Sequence, residues 1–130
     1  MKIRRDRYRS KREHNIKYIN YIATLINTMA GIDVFAKSRK VEVVEMRSLF
    51  VYILREVEEM TYYEIRDYFA SNGKSLNHAT ALHSFRNYEM YKKYNPKIGN
   101  YFNTLVSKST TEKARKIHAK SLIDSCSVVD

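Results

Sequence analysis

The chain has 130 residues, of which 44% are hydrophobic and 29% charged, a composition typical of one folded domain rather than of a disordered chain. Lys and Arg outnumber Asp and Glu by 24 to 14, and this net charge of +10 predicts a polyanionic partner such as nucleic acid. A single cysteine excludes a disulfide within the chain, and the sequence has neither a secretory signal nor a run of about 18 apolar residues, so we expect a cytoplasmic protein without a membrane span.

The charge is unevenly distributed. Residues 1–17 carry eight Lys or Arg and two acidic residues, whereas residues 41–67 carry three basic and seven acidic residues. Residues 37–40, Lys-Ser-Arg-Lys, add a short basic cluster between these segments. The pattern indicates one face for phosphates and another for solvent. The alternative interpretation is that the basic residues only keep the surface soluble.

In chain order, residues 1–14 are predicted to form a flexible basic arm. The apolar residues of Asn15–Ala30 recur at helical spacing, and Gly31 is a typical helix stop. A second helix is predicted from Val41 to Glu58, because its apolar positions repeat every three or four residues despite its β-branched side chains.

Thr61 and Glu64 have the spacing of a capping box, which predicts a short helix over Tyr62–Phe69. A polar turn over residues 70–75 follows, and then a longer helix from about Asn77 to Lys92.

Asn95-Pro96 ends that helix, because proline disfavours helical geometry in the residue before it. A further helix is predicted over Ile98–Val106, and an amphipathic helix from about Ser109 to Ile123. With three glycines and one proline, the chain lacks the turn residues of an all-β fold. We therefore predict an all-α, compact helical bundle, divided into an arm (1–14), a domain (15–107) and a C-terminal helical extension (108–130).

The two helices joined by the polar turn have the order of a helix-turn-helix, in which the second helix enters the major groove. On that helix, Leu82 and Phe85 fall on one side. The opposite side carries small or hydrogen-bonding side chains that suit base edges: Ala79, Thr80, His83 and Asn87.

Four segments in this order resemble a known family: Lys37–Arg47, Tyr52–Glu56, Thr61–Ile65 and Asn77–His83. They are similar to the C-terminal DNA-binding domain of the bacterial chromosomal replication initiator DnaA, a helix-turn-helix related to that of the tryptophan repressor. The similarity covers roughly residues 16–107. In the initiator an ATPase module lies upstream, whereas here a short basic arm precedes the similarity, so we expect the DNA-reading part alone or a homologue without the motor.

The resemblance implies that Arg39 enters the minor groove, where a narrow groove attracts guanidinium groups. Lys37, Ser38 and Lys40 would then contact phosphates. Arg47 matches an Arg near the start of the family's long helix, and a salt bridge to a nearby Glu is its alternative role.

In the second helix, Asn77 occupies the position of the family's base-contacting Asp, and His78, Ala79 and Thr80 occupy the next three positions. Asn can both donate and accept hydrogen bonds, so the base sequence read here is expected to differ from the family's own. For His78, local packing at the helix start is the alternative.

The sequence departs from the family in several ways. The turn between Phe69 and His78 is about four residues longer than the family's and lacks its Gly-Gly. Arg66 stands where the family carries Gly, and Ala79 replaces a Thr. The longer turn could tilt the second helix or lift its start away from the DNA.

Catalytic and metal sites are not indicated. Gly73-Lys74-Ser75 is similar to the end of a phosphate-binding loop, but Tyr68 stands where that loop requires its first Gly. His78 and His83 are five residues apart, which does not place them on one metal-facing side of a helix. We therefore expect no enzyme activity, cofactor, metal or small-molecule substrate.

The sequence thus predicts a non-enzymatic, sequence-specific binder of double-stranded DNA, acting in replication initiation or transcription regulation. Other partners would be a second copy or replication proteins. A repressor similar to the tryptophan repressor and a protein that coats nucleic acid without reading it are the alternatives. The residues predicted to contact DNA are Lys37, Ser38, Arg39, Lys40, Arg47, Lys74, Ser75, Asn77, His78, Ala79, Thr80, His83 and Asn87.

Overall fold

The computed structural model describes residues 15–107, and this part of the chain folds into five α-helices without a β-strand. The helices are α1 (Ile16–Ala30), α2 (Val41–Tyr52), α3 (Tyr62–Ser71), α4 (His78–Tyr94) and α5 (Pro96–Ser107), and a π-helical turn (Ile53–Val57) follows α2. The prediction of an all-α bundle is confirmed for these residues. No described helix is both long and apolar enough to cross a bilayer. The predicted arm 1–14, extension 108–130 and last helix lie outside the described residues.

Helix α1 has the ends that the sequence predicts. The Asn15 side chain accepts a hydrogen bond from the Tyr18 amide at 3.2 Å, as an N-cap does. Gly31 adopts a left-handed φ of 68°, and its N–H donates to the Asn27 carbonyl at 2.9 Å. The predicted apolar stripe ends in the half-buried Met29 and Ala30, and its other four residues are buried: Ile19, Ile22, Ala23 and Ile26.

Helix α2 lies at the centre of the bundle and contacts α1, α4 and α5. Every residue from Met46 to Val51 is buried, so the helix has no solvated face over this run. Two of these residues are polar, and both Arg47 and Ser48 donate hydrogen bonds to backbone carbonyls. Such bonds compensate for the loss of water around a buried polar group.

The end of α2 differs from the predicted continuous α-helix. The α-helical pattern stops at Tyr52, and the Glu58 amide donates to the carbonyl of Ile53 at 3.0 Å, which is a π-type bond across five residues. Glu59 then adopts a φ of 59°, in the left-handed region that favours glycine. Periodicity of apolar residues does not distinguish the two helix types over a single turn.

The pair α3 and α4 follows the predicted order. Thr61 and Glu64 exchange side-chain and backbone hydrogen bonds at 2.9 and 3.2 Å, so the capping box is confirmed. Helix α3 continues to Ser71, past the predicted end at Phe69, and the connection that remains is residues 72–77.

Aromatic rings fix the inward face of α4 to α2. Tyr52 stacks on Tyr88 with ring centroids 4.0 Å apart and on Phe85 at 5.3 Å. The Ser48 hydroxyl also donates to the Ser84 carbonyl at 2.6 Å. Because this side of α4 is buried against α2, the opposite side of its first turns is left at the surface.

Candidate nucleic-acid interface

The α1–α2 loop, residues 31–40, is held in place by side chains that bond its backbone. Asn27 accepts a hydrogen bond from the Val34 amide at 2.8 Å, and Asp33 accepts one from the Phe35 amide at 3.0 Å. The hydroxyl of Ser38 accepts a bond from the Lys40 amide at 3.1 Å. These bonds give the loop a defined path without regular secondary structure.

Arg47 fastens the same loop from α2. Its guanidinium donates to the carbonyls of Val34, Ala36 and Ser38 at 3.3, 2.6 and 3.4 Å. The side chain is 9% exposed, and burial lowers the pKa of the guanidinium from its usual value. Carbonyl oxygens are thus its partners, whereas the sequence suggested DNA or a Glu, and its observed role is to position the loop.

Residues 37–40, the basic loop, lie at the end of this tethered segment. Lys37, Arg39 and Lys40 are exposed, and Ser38 is half-buried. The predicted phosphate and minor-groove residues are therefore at the surface, on a backbone that Arg47 holds.

The α3–α4 turn, residues 72–77, begins with a helix stop that the backbone itself forms. Gly73 has a φ of 85°, its N–H donates to the Ala70 carbonyl at 3.1 Å, and the Lys74 N–H donates to the Phe69 carbonyl at 3.0 Å. This pair of bonds is a Schellman motif. Leu76 is buried and joins the core cluster, so it anchors the second half of the turn.

Four exposed residues in succession, Asn77 to Thr80, form the start of α4. Asn77 is the N-cap, and its Oδ1 accepts a hydrogen bond from the Thr80 amide at 2.7 Å. The residue that follows, Ala81, is fully buried and fixes this end of the helix to the core. The side chain that the sequence assigned to base reading at Asn77 therefore also stabilises the helix.

His78 packs locally while remaining exposed. Its ring stacks on Tyr63 of α3 with centroids 4.7 Å apart, and the Arg66 guanidinium lies 5.3 Å from the centroid of the Tyr63 ring. This stacking agrees with the alternative of local packing, and it gives His78 a defined place beside the cap.

Further along α4, His83 and Asn87 are bonded to each other, with Nε2 and Nδ2 at 2.9 Å. Arg86 is exposed and lies on the face of Ala79 and His83, since residues three, four and seven positions apart share one side of a helix. Sequence reasoning overlooked Arg86, although its spacing from His83 was the signal that could have found it.

An open cleft of about 450 Å³ lies between α3 and the turn. Arg66 and Asp67 line one side, and Ser75 and Asn77 line the other. Every predicted contact residue except Arg47 lies on the basic loop, on the turn or on α4, and all of these are exposed except the half-buried Ser38, Lys74 and Asn87.

No family model matches this chain, and neither a curated protein nor a solved structure is significantly similar to it. The resemblance to the initiator's DNA-binding domain therefore depends on the order and spacing of the motifs alone.

Proposed function

We propose that this protein binds duplex DNA with sequence preference, using α3 and α4 as a helix-turn-helix and the basic loop as a minor-groove reader. In this arrangement the start of α4 enters the major groove, and Arg39 enters the adjacent minor groove. Lys37, Lys40 and Lys74 contact backbone phosphates, as does the hydroxyl of Ser75.

The observation that carries this proposal is the surface formed by the start of α4. Asn77, His78, Ala79 and Thr80 are all exposed, yet the cap and the buried Ala81 hold their backbone rigid. Asn, His and Thr side chains can hydrogen-bond base edges, and a helix end held by a cap and a buried residue supports the defined geometry that base contacts need.

The contacts of these side chains refine the predicted roles. The Oδ1 atom of Asn77 is engaged by the Thr80 amide, so Asn77 meets a base through its Nδ2 hydrogens. The Thr80 hydroxyl faces the groove, and His83 meets it with the part of its ring that Asn87 leaves open, because Nε2 is bonded to the Asn87 side chain. Ala79 makes room or contacts a thymine methyl group.

The experiment is a selection of bound duplexes from a random pool, followed by titration of the selected site and of a scrambled duplex. A specific reader prefers the selected site by roughly a thousandfold or more. Thr80→Ala should cost about 1–3 kcal/mol on the selected site and little on the scrambled one. Thr104→Ala, at an exposed threonine of α5, is the matched control and should change neither affinity.

The outcomes are distinct. Equal affinity for every duplex would overturn sequence reading and favour a protein that coats nucleic acid. Unchanged affinity of Arg39→Ala for the selected site would remove the minor-groove contact from the proposal and leave the major-groove contact to be judged by Thr80→Ala.

The biological process that we propose is replication initiation or transcription regulation, in a nucleoid-associated, cytoplasmic setting. The support for this step is the motif resemblance, since DNA recognition of this kind serves both processes. Self-association and contacts with replication proteins belong to the same proposal.

A further inference from the structure

His83 and Asn87 form a bonded pair on the outer side of α4. They lie four residues apart, so their side chains are neighbours on the helix surface, and the Nδ2 atom of Asn87 lies 2.9 Å from Nε2 of His83. His83 is exposed and Asn87 is half-buried. Both lie on the side of α4 opposite Phe85, which stacks on Tyr52 of α2. The pair therefore belongs to the face that the proposed function turns toward DNA.

The chemistry of the amide fixes the position of the proton on the histidine ring. An amide nitrogen carries two hydrogens and accepts no hydrogen bond, so Nδ2 of Asn87 can only donate. Nε2 of His83 must then accept, and the single proton of the neutral ring is on Nδ1. This tautomer follows from the orientation of the Asn87 amide, in which Nδ2 rather than Oδ1 meets the ring.

The Nδ1 atom of His83 remains available to a ligand. Over residues 15–107, the structure gives His83 no hydrogen-bond partner besides Asn87. The accepting nitrogen of the ring is engaged, whereas the donating nitrogen is not. His83 therefore offers a ligand one hydrogen-bond donor and no acceptor.

We propose that His83 reads a guanine, and that Asn87 is the positioning residue that restricts His83 to donation. This inference rests on the proposed function and names the base at one position of the DNA site. In the major groove, guanine presents two adjacent acceptors, N7 and O6, and no donor. Adenine places a donor beside its N7, thymine has one acceptor next to its methyl group, and cytosine has only a donor. A side chain that can only donate is thus satisfied best by guanine.

The first measurement uses the full chain without DNA. Long-range proton–nitrogen NMR spectra at about pH 8, where histidine rings are ordinarily neutral, distinguish a protonated ring nitrogen from an unprotonated one. We expect the proton of His83 on Nδ1 in wild type. Asn87→Leu removes the amide at similar size and should abolish this preference. A proton on Nε2 in wild type overturns the proposal, because the amide would then meet the ring with Oδ1.

The second measurement repeats the selection of bound duplexes with wild type, His83→Ala and Asn87→Leu. The position whose preference relaxes in His83→Ala is the one that His83 reads, and we expect a G·C pair there in the wild-type selection. Asn87→Leu should weaken the preference at that same position by about fivefold, the effect of losing one ordinary hydrogen bond. Asn103→Leu makes the same substitution at an exposed asparagine of α5 and should leave every preference unchanged.

The preference at the His83 position can be separated from that of the helix start. His83 lies six residues after Asn77, which is about 9 Å along the helix axis, whereas successive base pairs are about 3.4 Å apart. The positions that depend on Thr80 should therefore keep their preferences in His83→Ala and in Asn87→Leu.

Several results would overturn the reading of guanine while leaving DNA recognition intact. These are relaxation at an A·T pair, relaxation at no position, and a uniform loss of affinity for every duplex, as a phosphate contact would give. A guanine preference that is undiminished in Asn87→Leu overturns the role of Asn87. Failure of the proposed function looks different, because wild type itself then shows no preference for any duplex.

Discussion

The α1–α2 loop and the α3–α4 turn both end in residues proposed to contact DNA, but they are stabilised in different ways. The loop depends on side chains outside it: Asn27 of α1 caps its backbone, and Arg47 of α2 binds its carbonyls. The turn is closed onto the last turn of α3, because the amides of Gly73 and Lys74 bond the carbonyls of Ala70 and Phe69, and Leu76 adds one buried anchor.

Because of this difference, the α1–α2 loop and the α3–α4 turn should respond to substitutions at different positions. A local stop forms as soon as α3 forms, because its hydrogen bonds span a few residues. A loop that has few internal bonds keeps its path only while α2 and α1 remain packed beneath it. Substitutions should therefore affect the loop through distant residues and the turn through its own residues.

The largest effect is expected for Arg47→Ala. Removing the guanidinium leaves the carbonyls of Val34, Ala36 and Ser38 without their donor, and we expect a loss of about 3 kcal/mol in the free energy of unfolding. Urea denaturation measures this loss. Arg47→Lys should recover less than half of it, because an ammonium group does not reproduce the planar fork of donors.

Arg66→Ala is the matched control for that change. Its guanidinium is partly exposed and bonds the neighbouring Asp67, so the expected change is within about 0.5 kcal/mol. If Arg47→Ala lost less than about 1 kcal/mol in the free energy of unfolding, close to the change expected for this control, the dependence of the loop on α2 would be contradicted.

An intermediate effect is expected at the glycines that stop α1 and α3. Gly31 and Gly73 have φ values of 68° and 85°, and a Cβ added at either would meet no atom within 4 Å. The cost of Ala is therefore conformational, about 1–2 kcal/mol at each position. Equal losses of stability for Gly31→Ala and Gly73→Ala in thermal or urea unfolding would confirm that both stops are local. Unequal losses would show that one stop depends on tertiary contacts.

Gly99→Ala in α5 provides the opposite result. That glycine lies inside a helix, and its added Cβ would meet Lys92 at an ordinary 3.6 Å. We expect stabilisation of about 0.5–1 kcal/mol, since Ala favours a helix more than Gly does.

The smallest effect is expected at Glu59, which lies two residues after the π-helical turn, between α2 and α3. Its φ of 59° is strained for a residue with a Cβ, so Glu59→Gly should stabilise the protein by about 0.5 kcal/mol after the entropy of Gly is subtracted. Glu59→Ala removes the carboxylate but keeps the strain, and should show no gain in urea denaturation.

Local signals predicted much of the fold. The capping box at Thr61, the stop at Gly31 and the break at Asn95-Pro96 act over a few residues, and each is found where the sequence indicated it. The π-helical turn escaped prediction, because its bonds differ from α-helical ones by one residue in register.

The candidate site was predicted less completely. The helical spacing of the apolar residues Leu82 and Phe85 predicted that Thr80 and His83 lie on the opposite side of the helix, and both are exposed. The cap formed by Asn77 was not predicted, although Asn before a helix start is a common N-cap. The stacking of His78 on Tyr63 depends on how α3 and α4 meet, which no local pattern contains.

The sequence by itself determined the helices, their caps and the basic character of the loop, because these properties arise from neighbours within a turn or two. The tertiary structure alone decided the role of Arg47 and the packing of the α1–α2 loop on the end of α3. Arg47 binds carbonyls up to 13 residues away, and Phe35 of the loop packs on Phe69 near the end of α3. Such contacts depend on how the helices pack against each other, and this packing cannot be derived from residues that are neighbours along the chain.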